Sequence, residues 1–182
     1  MNKNTTGQVV DFTTLGELIG FQLRQAQLQV FNHFRKTVGA TGITPGQAGI
    51  LILIRNNPDI SQAALARAIG VERATLGQII SDMEAKSWVE RHPSRSDRRS
   101  YALTLSSSGK AFLEKVLEKI SFHEQDMTAH LSTEERREFL RLLLKFLGVD
   151  SEAKTLDSYY RSGLDSQTPA GMESYANDIQ TA

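Results

Sequence analysis

The sequence predicts a mainly helical α+β fold in which a winged helix-turn-helix domain, residues 43–106, is flanked by long dimerisation helices. Three patterns predict it. Apolar residues recur at steps of three and four in long segments towards both ends. Two shorter helical segments meet at a tight turn that contains Gly70. Two strand-like segments, 88–91 and 101–105, then form a β-hairpin, or wing, with a polar, Arg-rich connection.

The first helix is predicted to begin at about Thr14, because Thr14 and Glu17 fit a capping box, and Gly39 and Gly42 end it. Residues 1–13 are polar and predicted to be a flexible segment. The apolar stripe of this helix consists of Leu15, Leu18, Ile19, Leu23, Ala26, Val30, Phe34 and Val38.

The second helix has a stronger start signal, with Thr44 as N-cap, Pro45 at the first helical position and Gln47 reaching back. Residues 50–54 are all apolar, a pattern that also fits a buried strand, but the capping signature favours a buried helix. We expect it to end in residues 56–58, because the residue before a proline is pushed out of the helical region.

The helix-turn-helix follows. Ser61 caps a short helix through Ile69, and Gly70 ends it. The next helix extends from about Glu72 to Ser87. Its expected buried stripe is Leu76, Ile79, Ile80 and Met83.

Two further helices are predicted after the hairpin. The first begins near Ser108, and Ser132 with Glu135 forms a capping box for the second, which extends through Leu147 to Gly148. The stripe of the first is Phe112, Val116, Ile120 and Met127, with Leu113 and Leu117 beside it. The apolar face of the second is Phe139, Leu140, Leu143, Leu144, Phe146 and Leu147.

The helices near 14–38, 108–130 and 132–147 carry more apolar surface than a small winged domain can cover. The simplest solution is packing between two copies of the chain, and an internal bundle is the alternative. Segments 14–42 and 107–148 are therefore predicted to form the dimerisation region of a homodimer.

Composition and motifs argue against several functional classes. The chain has no Cys, which removes disulfides, thiolate-bound metals, Cys nucleophiles and thiol redox switches. No secretory signal or apolar run of about 18 residues is visible, so we expect a cytoplasmic protein without a membrane span. The S-x-x-K match at 107–110 lacks its companion motifs, and other catalytic or nucleotide-binding motifs are not found. We expect no enzymatic activity, no catalytic residues and no cofactor.

The net charge of zero conceals a basic centre and an acidic tail. Residues 61–110 carry a net charge of +3 and residues 150–182 carry −4. The basic residues that concentrate the positive charge are Lys86, Arg91, Arg95, Arg98 and Arg99. A local basic patch indicates a polyanion partner, although many charge clusters are only solvated surface. We interpret the acidic polar tail, 149–182, as disordered, with modulation of DNA contacts as the alternative.

Specific sequence signatures lie between residues 61 and 110. Residues 65–80 resemble the helix-turn-helix of the MarR family of transcriptional regulators, and residues 80–91 resemble the family's run into the wing. Asp97-Arg98-Arg99, followed by residues 103–109, is similar to the family's wing signature, with Ser106 in place of a Thr. The resemblance extends over residues 15–148. It implies a homodimeric winged helix-turn-helix protein, often a repressor whose DNA affinity falls when a small molecule binds.

In a helix-turn-helix, the N-terminal residues of the second helix contact base edges in the major groove. Arg73 suits guanine and Gln78 suits adenine, whereas Thr75 and Ser81 suit either bases or phosphates. Gly77 is unusual, because Gly inside a helix costs about 1 kcal/mol relative to Ala. It either lets the DNA approach closely or marks a tolerant site. For the four polar residues, plain solvated surface is the alternative.

The wing residues predicted to contact DNA are Arg95, Asp97, Arg98 and Arg99. Arginines on a hairpin suit the negative potential of a minor groove. Asp97 is interpreted as a buttress that holds Arg99; a merely solubilising loop is the alternative. Ser61 and Gln62, at a helix N-terminus, are predicted to contact phosphates.

None of the four histidines has a metal-like spacing with another. His123 and His130 are therefore expected to be surface residues, and no metal is predicted. The resemblance implies an effector cleft between the dimer helices and the winged domain, which His33 and Phe34 could line. It suggests a small aromatic acid, or its coenzyme A thioester, as the effector.

The sequence thus favours a dimeric, ligand-responsive regulator that binds double-stranded DNA at a pseudo-palindrome with half-sites about 10 bp apart. An architectural DNA-binding protein without an effector is the main alternative. An enzyme or a pure protein-interaction module is a third possibility, distinguished by the absence of DNA affinity.

Overall fold

A computed structural model describes residues 10–93 and 101–148. They form seven α-helices, one 3-10 turn and a three-stranded antiparallel sheet. The helices are α1 (Thr13–Gly16), α2 (Ile19–Thr37), α3 (Pro45–Asn56), α4 (Gln62–Ile69), α5 (Arg73–Ala85), α6 (Ser107–Met127) and α7 (Thr133–Phe146). The strands are β1 (Ile60–Ser61), β2 (Val89–Pro93) and β3 (Tyr101–Leu105). The predicted fold class, mainly helical with a small β-hairpin, is confirmed.

The beginning of the first long helix differs from the prediction. Leu18 is extended, with ψ 118°, and separates the single turn α1 from α2. Thr14 therefore caps no helix, and the predicted capping box with Glu17 is wrong. The carboxylate of Asp11 accepts hydrogen bonds from the amide and the hydroxyl of Thr13 at 2.8 and 2.6 Å instead. This local side-chain bonding fixes the start of α1 one residue earlier.

The other predicted helix starts are confirmed. Thr44 and Gln47 form a reciprocal capping box at α3, and Ser132 and Glu135 form one at α7. The Ser61 Oγ atom accepts a hydrogen bond from the Ala64 amide at 3.1 Å and caps α4. The apolar run in α3 is a buried helix, not a strand; its buried residues are Ala48, Ile50, Leu51 and Ile54.

The helix-turn-helix consists of α4 and α5. Gly70 adopts a left-handed conformation, with φ 69°, and ends α4 as predicted. All four predicted stripe residues of α5, namely Leu76, Ile79, Ile80 and Met83, are buried. The opposite side of α5 is therefore the side available to a partner.

The sheet has the order β1-β3-β2. Residue Val89 pairs with Leu105, and Arg91 pairs with Leu103, so β2 and β3 form the predicted hairpin. Strand β2 continues two residues past its predicted end at Arg91. Strand β1 was not predicted, because two residues are too few to show an alternating pattern. It anchors the start of α4 to the hairpin through Ile60 and Leu103.

Helix α6 is rotated relative to the predicted stripe. A Cβ atom on Gly109 would lie 1.9 Å from the carbonyl oxygen of Trp88, so this turn of α6 lies directly against the backbone before β2. The buried residues of α6 are Gly109, Leu113, Val116 and His123. Phe112 is only partly buried and stacks on the Trp88 ring, with centroids 4.2 Å apart. The helix ends at Met127, three residues before the predicted 130.

Ser106, which stands where the family pattern has Thr, caps α6. Its Oγ atom accepts a hydrogen bond from the Gly109 amide at 2.8 Å and donates one to the Ser87 carbonyl at 2.5 Å. Both functions use the hydroxyl alone, which Ser and Thr share. The replacement therefore preserves the contacts that hold the start of α6.

Large apolar side chains at both ends of the described chain are exposed. None of the residues of α7 is buried, although Phe139, Leu140 and Phe146 belong to one helix of strongly amphipathic pattern. The exposed apolar residues near the N-terminus are Val10, Phe12, Leu15, Leu18 and Ile19. Within the described ranges, no helix combines the length and apolar character needed to cross a membrane.

Candidate nucleic-acid interface

Helix α5 presents the predicted recognition residues away from its buried stripe. Arg73, Gln78 and Ser81 are exposed, and Thr75 and Gly77 are half-buried. The N-cap residue Glu72 makes no side-chain cap, which leaves the amide groups of the first turn of α5 without that partner. Such a helix end, with a polar and partly cationic surface, is suited to contact a nucleic acid.

The side chain of Gln78 lies along the helix. Its Nε2 atom donates a hydrogen bond to Asp82 Oδ1 at 3.1 Å. A bidentate contact to adenine uses both the oxygen and the nitrogen of the amide. Gln78 must therefore exchange its bond to Asp82 for one to the base when it contacts adenine.

Ser81 and Gly77 belong to a hydrogen-bonded cluster that the sequence did not predict. Ser81 Oγ donates to the Gly77 carbonyl at 2.9 Å. Arg91 Nη2, from strand β2, donates to the same carbonyl at 3.0 Å and to Ser81 Oγ at 3.0 Å. The sequence pattern places Arg91 only in the basic patch. Alternation along β2 could have revealed its place, because Arg91 is on the same side of the strand as the buried Val89.

Gly77 also lies beside helix α4. A Cβ atom there would lie 3.4 Å from the Gln62 Nε2 atom, an ordinary contact distance. The fold thus brings the predicted phosphate contact Gln62 next to helix α5. The Oγ atom of Ser61 accepts a hydrogen bond from the Ala64 amide, and the Ser61 hydroxyl can still donate one to a phosphate.

The far end of strand β2 is tied to the turn before β1. The His92 Nε2 atom lies 2.7 Å from Asp59 Oδ1, and Asp59 has a positive φ of 63°. Lys86, another residue of the basic patch, lies over the Trp88 ring at 4.5 Å from its centroid. The wing residues Arg95, Asp97, Arg98 and Arg99 lie outside the described residues, so their predicted roles remain predictions.

A second cluster joins α2 to α6. His33 Nδ1 lies 2.6 Å from His123 Nδ1, and His33 Nε2 lies 2.9 Å from Asp126 Oδ2. His123 is only 2% exposed, so its assignment to the surface was wrong. The rotation of α6 accounts for this, since it places His123 on the buried side with Leu113 and Val116. Burial lowers the pKa of His123, with a smaller effect in the same direction from His33 and an opposing one from Glu124.

The two residues proposed for an effector cleft have different surroundings. His33 lines an open depression along α2, together with Gln25, Leu28, Gln29, Asn32 and Lys36. Phe34 is a core residue, buried edge-on against the His123 ring with centroids 5.5 Å apart. Among residues 10–93 and 101–148, no three His, Asp or Glu side chains are arranged to hold a metal ion.

Comparison with known proteins identifies the family. The sequence pattern of the MarR family matches residues 41–100, which include α3, α4, α5 and strand β2. A protein of Thauera aromatica, named as a transcriptional regulatory protein for the hcr operon, is 37% identical over 146 residues. These residues make up 80% of this chain and 87% of that protein. The chain belongs to the MarR family.

The resemblance predicted from the wing and helix-turn-helix motifs is thereby confirmed. Another relative of this MarR-family chain is the transcriptional repressor NicR of Pseudomonas putida, 28% identical over 75% of the chain and 87% of NicR. The solved structure of the repressor CouR bound to a 23-mer DNA duplex has a TM-score of 0.74 and 31% identity. It covers 76% of this chain and 99% of CouR.

CouR has also been solved with p-coumaroyl-CoA bound. That structure has a TM-score of 0.69 and 29% identity, and covers 76% of this chain and 97% of CouR. The names of these relatives all describe transcriptional regulators or repressors.

Proposed function

We propose that this protein is a sequence-specific DNA-binding regulator that represses transcription as a homodimer and releases its operator when a small-molecule effector binds. The observation that carries the proposal is the division of α5 into two sides. Its buried stripe is fixed in the core, and its other side presents Arg73, Gln78 and Ser81. A rigid helix with exposed polar residues near its N-terminus suits the major groove.

The remaining predicted contacts fit the same docking. With α5 in the major groove, Ser61 and Gln62 at the start of α4 face the backbone beside it, where they can bind phosphates. The hairpin would place Arg95, Arg98 and Arg99 at the minor groove, with Asp97 orienting Arg99. CouR, bound to a DNA duplex in one of its structures, supports this arrangement by its similarity.

The proposed homodimer forms through the apolar faces that the single chain leaves exposed. Those of α1 and α7 include Leu15, Leu140 and Phe146. Large exposed apolar side chains on a lone chain are unfavourable in water, and a two-fold partner would cover them. A two-fold dimer carries two recognition helices, so we expect a pseudo-palindromic operator with half-sites about 10 bp apart.

The proposed effector is a small aromatic acid or its coenzyme A thioester. Two observations support this choice: the similarity to CouR, solved with p-coumaroyl-CoA, and the depression beside His33, where Lys36 supplies a cation for an acidic group. The effector would act by binding more tightly to a dimer whose recognition helices no longer fit the operator. No cofactor or catalytic residue is needed for this function, which would be carried out in the cytoplasm.

Fluorescence anisotropy tests the proposal. The protein is titrated onto duplex DNA from its own upstream region and onto a scrambled duplex, at several salt concentrations. We expect a preference of about 10³-fold or more for the upstream DNA. Equal affinity for both duplexes, with a steep salt dependence, would instead favour the architectural alternative. Absence of binding to either duplex would contradict both.

The effector is tested on the same complex. We expect p-coumaroyl-CoA, or the free p-coumarate, to release the DNA at concentrations at which coenzyme A alone does not. If neither aromatic compound changes the anisotropy, this effector class is wrong while the DNA-binding function stands.

A further inference from the structure

We propose that Arg91 is a positioning residue, which fixes the recognition helix α5 against strand β2 and thereby sets the preference for the operator over other DNA. The inference rests on the proposed function, because it concerns how that function achieves specificity. In this role, Arg91 itself does not contact DNA. Directional contacts join β2 to the side of α5 that adjoins the hairpin.

The Arg91 guanidinium contacts groups that belong to residues up to two turns apart on α5. Its Nη2 atom bonds the Gly77 carbonyl and the Ser81 hydroxyl, both at 3.0 Å. Its Nε atom lies 3.1 Å from Glu84 Oε2. Residues 77 and 84 are about 10 Å apart along the helix axis at 1.5 Å per residue. One side chain thus fixes both the rotation of α5 and its position along its axis.

The surroundings of Arg91 separate it from the exposed basic residues. Its side chain is 23% exposed, and that of Glu84 is 31% exposed. The Arg91 Nε atom is buried without a hydrogen-bond partner, so its contact with Glu84 is an ion pair, and the directional bonds are those of Nη2. A charge already paired with a carboxylate and bonded to a carbonyl contributes little to phosphate attraction. Partial burial makes such charge-assisted bonds stronger than those on an open surface.

Apolar packing alone does not define the position of α5 as closely. The buried stripe of Leu76, Ile80 and Met83 holds the helix to the core, but apolar contacts are non-directional. Contacts to base edges require side chains held within about 0.5 Å of their working geometry. The fork of Arg91, bonded to Gly77 and Ser81, supplies this constraint next to the residues that are predicted to contact bases.

The test compares Arg91→Gln and Arg91→Lys in the full chain with upstream and scrambled duplexes. We expect Arg91→Gln to lose roughly 10- to 100-fold of its affinity for the upstream DNA, the effect of losing bonds to a charged group. Its affinity for scrambled DNA and its salt slope should stay unchanged. Arg91→Lys should lose most of the preference too, because an ammonium group cannot span the same acceptors.

A phosphate contact by Arg91 would give the opposite pattern. Arg91→Gln would then lower the affinity for both duplexes equally and reduce the slope of the salt dependence by about 1. Arg91→Lys would behave like the wild type. The matched control is Arg55→Gln, which breaks the exposed pair of Arg55 with Glu114 at 3.5 Å and should change neither affinity. If Arg91→Gln keeps the wild-type preference for the upstream DNA, this inference is wrong, while the proposed function stands. No wild-type preference would overturn the proposed function and this inference with it.

A double-mutant cycle keeps the test decisive if Arg91→Gln folds poorly. Ser81→Ala removes one acceptor of Arg91 at an exposed site and should cost a few-fold in preference by itself. Combined with Arg91→Lys, it should add less than it costs alone, because both changes break the same contact. Fully additive losses would mean that Ser81 acts on DNA independently of Arg91, which contradicts the inference.

Discussion

His33 and His123 approach each other through their Nδ1 atoms, 2.6 Å apart, across the contact between α2 and α6. Only one of the two Nδ1 atoms can carry the hydrogen that lies between them. On the other side of the His33 ring, Nε2 lies 2.9 Å from Asp126 Oδ2. His123 is buried beside Phe34, and this burial disfavours its charged form.

This arrangement predicts a loss of stability in mild acid. Burial lowers the pKa of His123 from its ordinary value of 6.5. The unfolded chain therefore binds more protons than the folded one as the pH falls below 6.5, and the free energy of unfolding decreases there. Above 6.5 this contribution is fully present. We expect the urea midpoint to fall between about pH 7.5 and about pH 5.5.

His123→Phe supplies the matched comparison, because it keeps an aromatic ring beside Phe34 and removes the titrating group. Its urea midpoint should vary less with pH over this range than that of the wild type. His130→Gln, at an exposed site, should keep the wild-type dependence. The same pH dependence in His123→Phe and the wild type would refute the assignment to His123.

Gly109→Ala is expected to destabilise the fold by about 3 kcal/mol, at the upper end of the usual range for overpacking. The added Cβ atom would lie 1.9 Å from the Trp88 carbonyl oxygen and 2.7 Å from its carbon, so backbone must move. Urea unfolding measures the change. Gly49→Ala, inside α3, is the control. Its added Cβ atom would have no neighbour within 4 Å, so the substitution should stabilise the fold by about 0.5–1 kcal/mol. Equal effects of the two substitutions would contradict the packing described for α6.

Leu140→Glu is expected to weaken the proposed homodimer by roughly 100-fold or more, since the charge would enter a two-fold interface twice. Leu140 is 57% exposed in the single chain. Sedimentation equilibrium measures the dissociation constant. Lys145→Glu lies on the other side of α7, given about 100° of rotation per residue, and should leave the dimer intact. If Leu140→Glu leaves the dissociation constant of the dimer unchanged, α7 is not part of the interface.

Gln78→Ala is expected to relax the preference at one base pair in each half-site, at a cost of about 1–3 kcal/mol in operator affinity. Anisotropy with operators that carry single base-pair changes locates that position. Gln125→Ala, on the exposed side of α6, should leave every preference as in the wild type. A uniform loss over all operators would instead assign Gln78 to a phosphate contact.

Local signals in the sequence predicted much of the fold. The caps at Thr44, Ser61 and Ser132 were predictable because each bonds a backbone amide three residues further on. The buried stripe of α5 followed from helical spacing alone. The family was predictable for a related reason, since the helix-turn-helix and wing motifs lie within about 50 consecutive residues. The Thr14 cap failed where another local contact, from Asp11 to Thr13, prevailed.

The site contains relationships that only tertiary structure decided. Gly109 and Trp88 set the rotation of α6, and that rotation buries His123 against His33, which is 90 residues away in the chain. The contact between Arg91 and Gly77 likewise depends on how β2 lies against α5. Spacing determines which residues share a face of one element. The rotation that brings two faces together comes from the packing of the whole core, which no single stretch of sequence specifies.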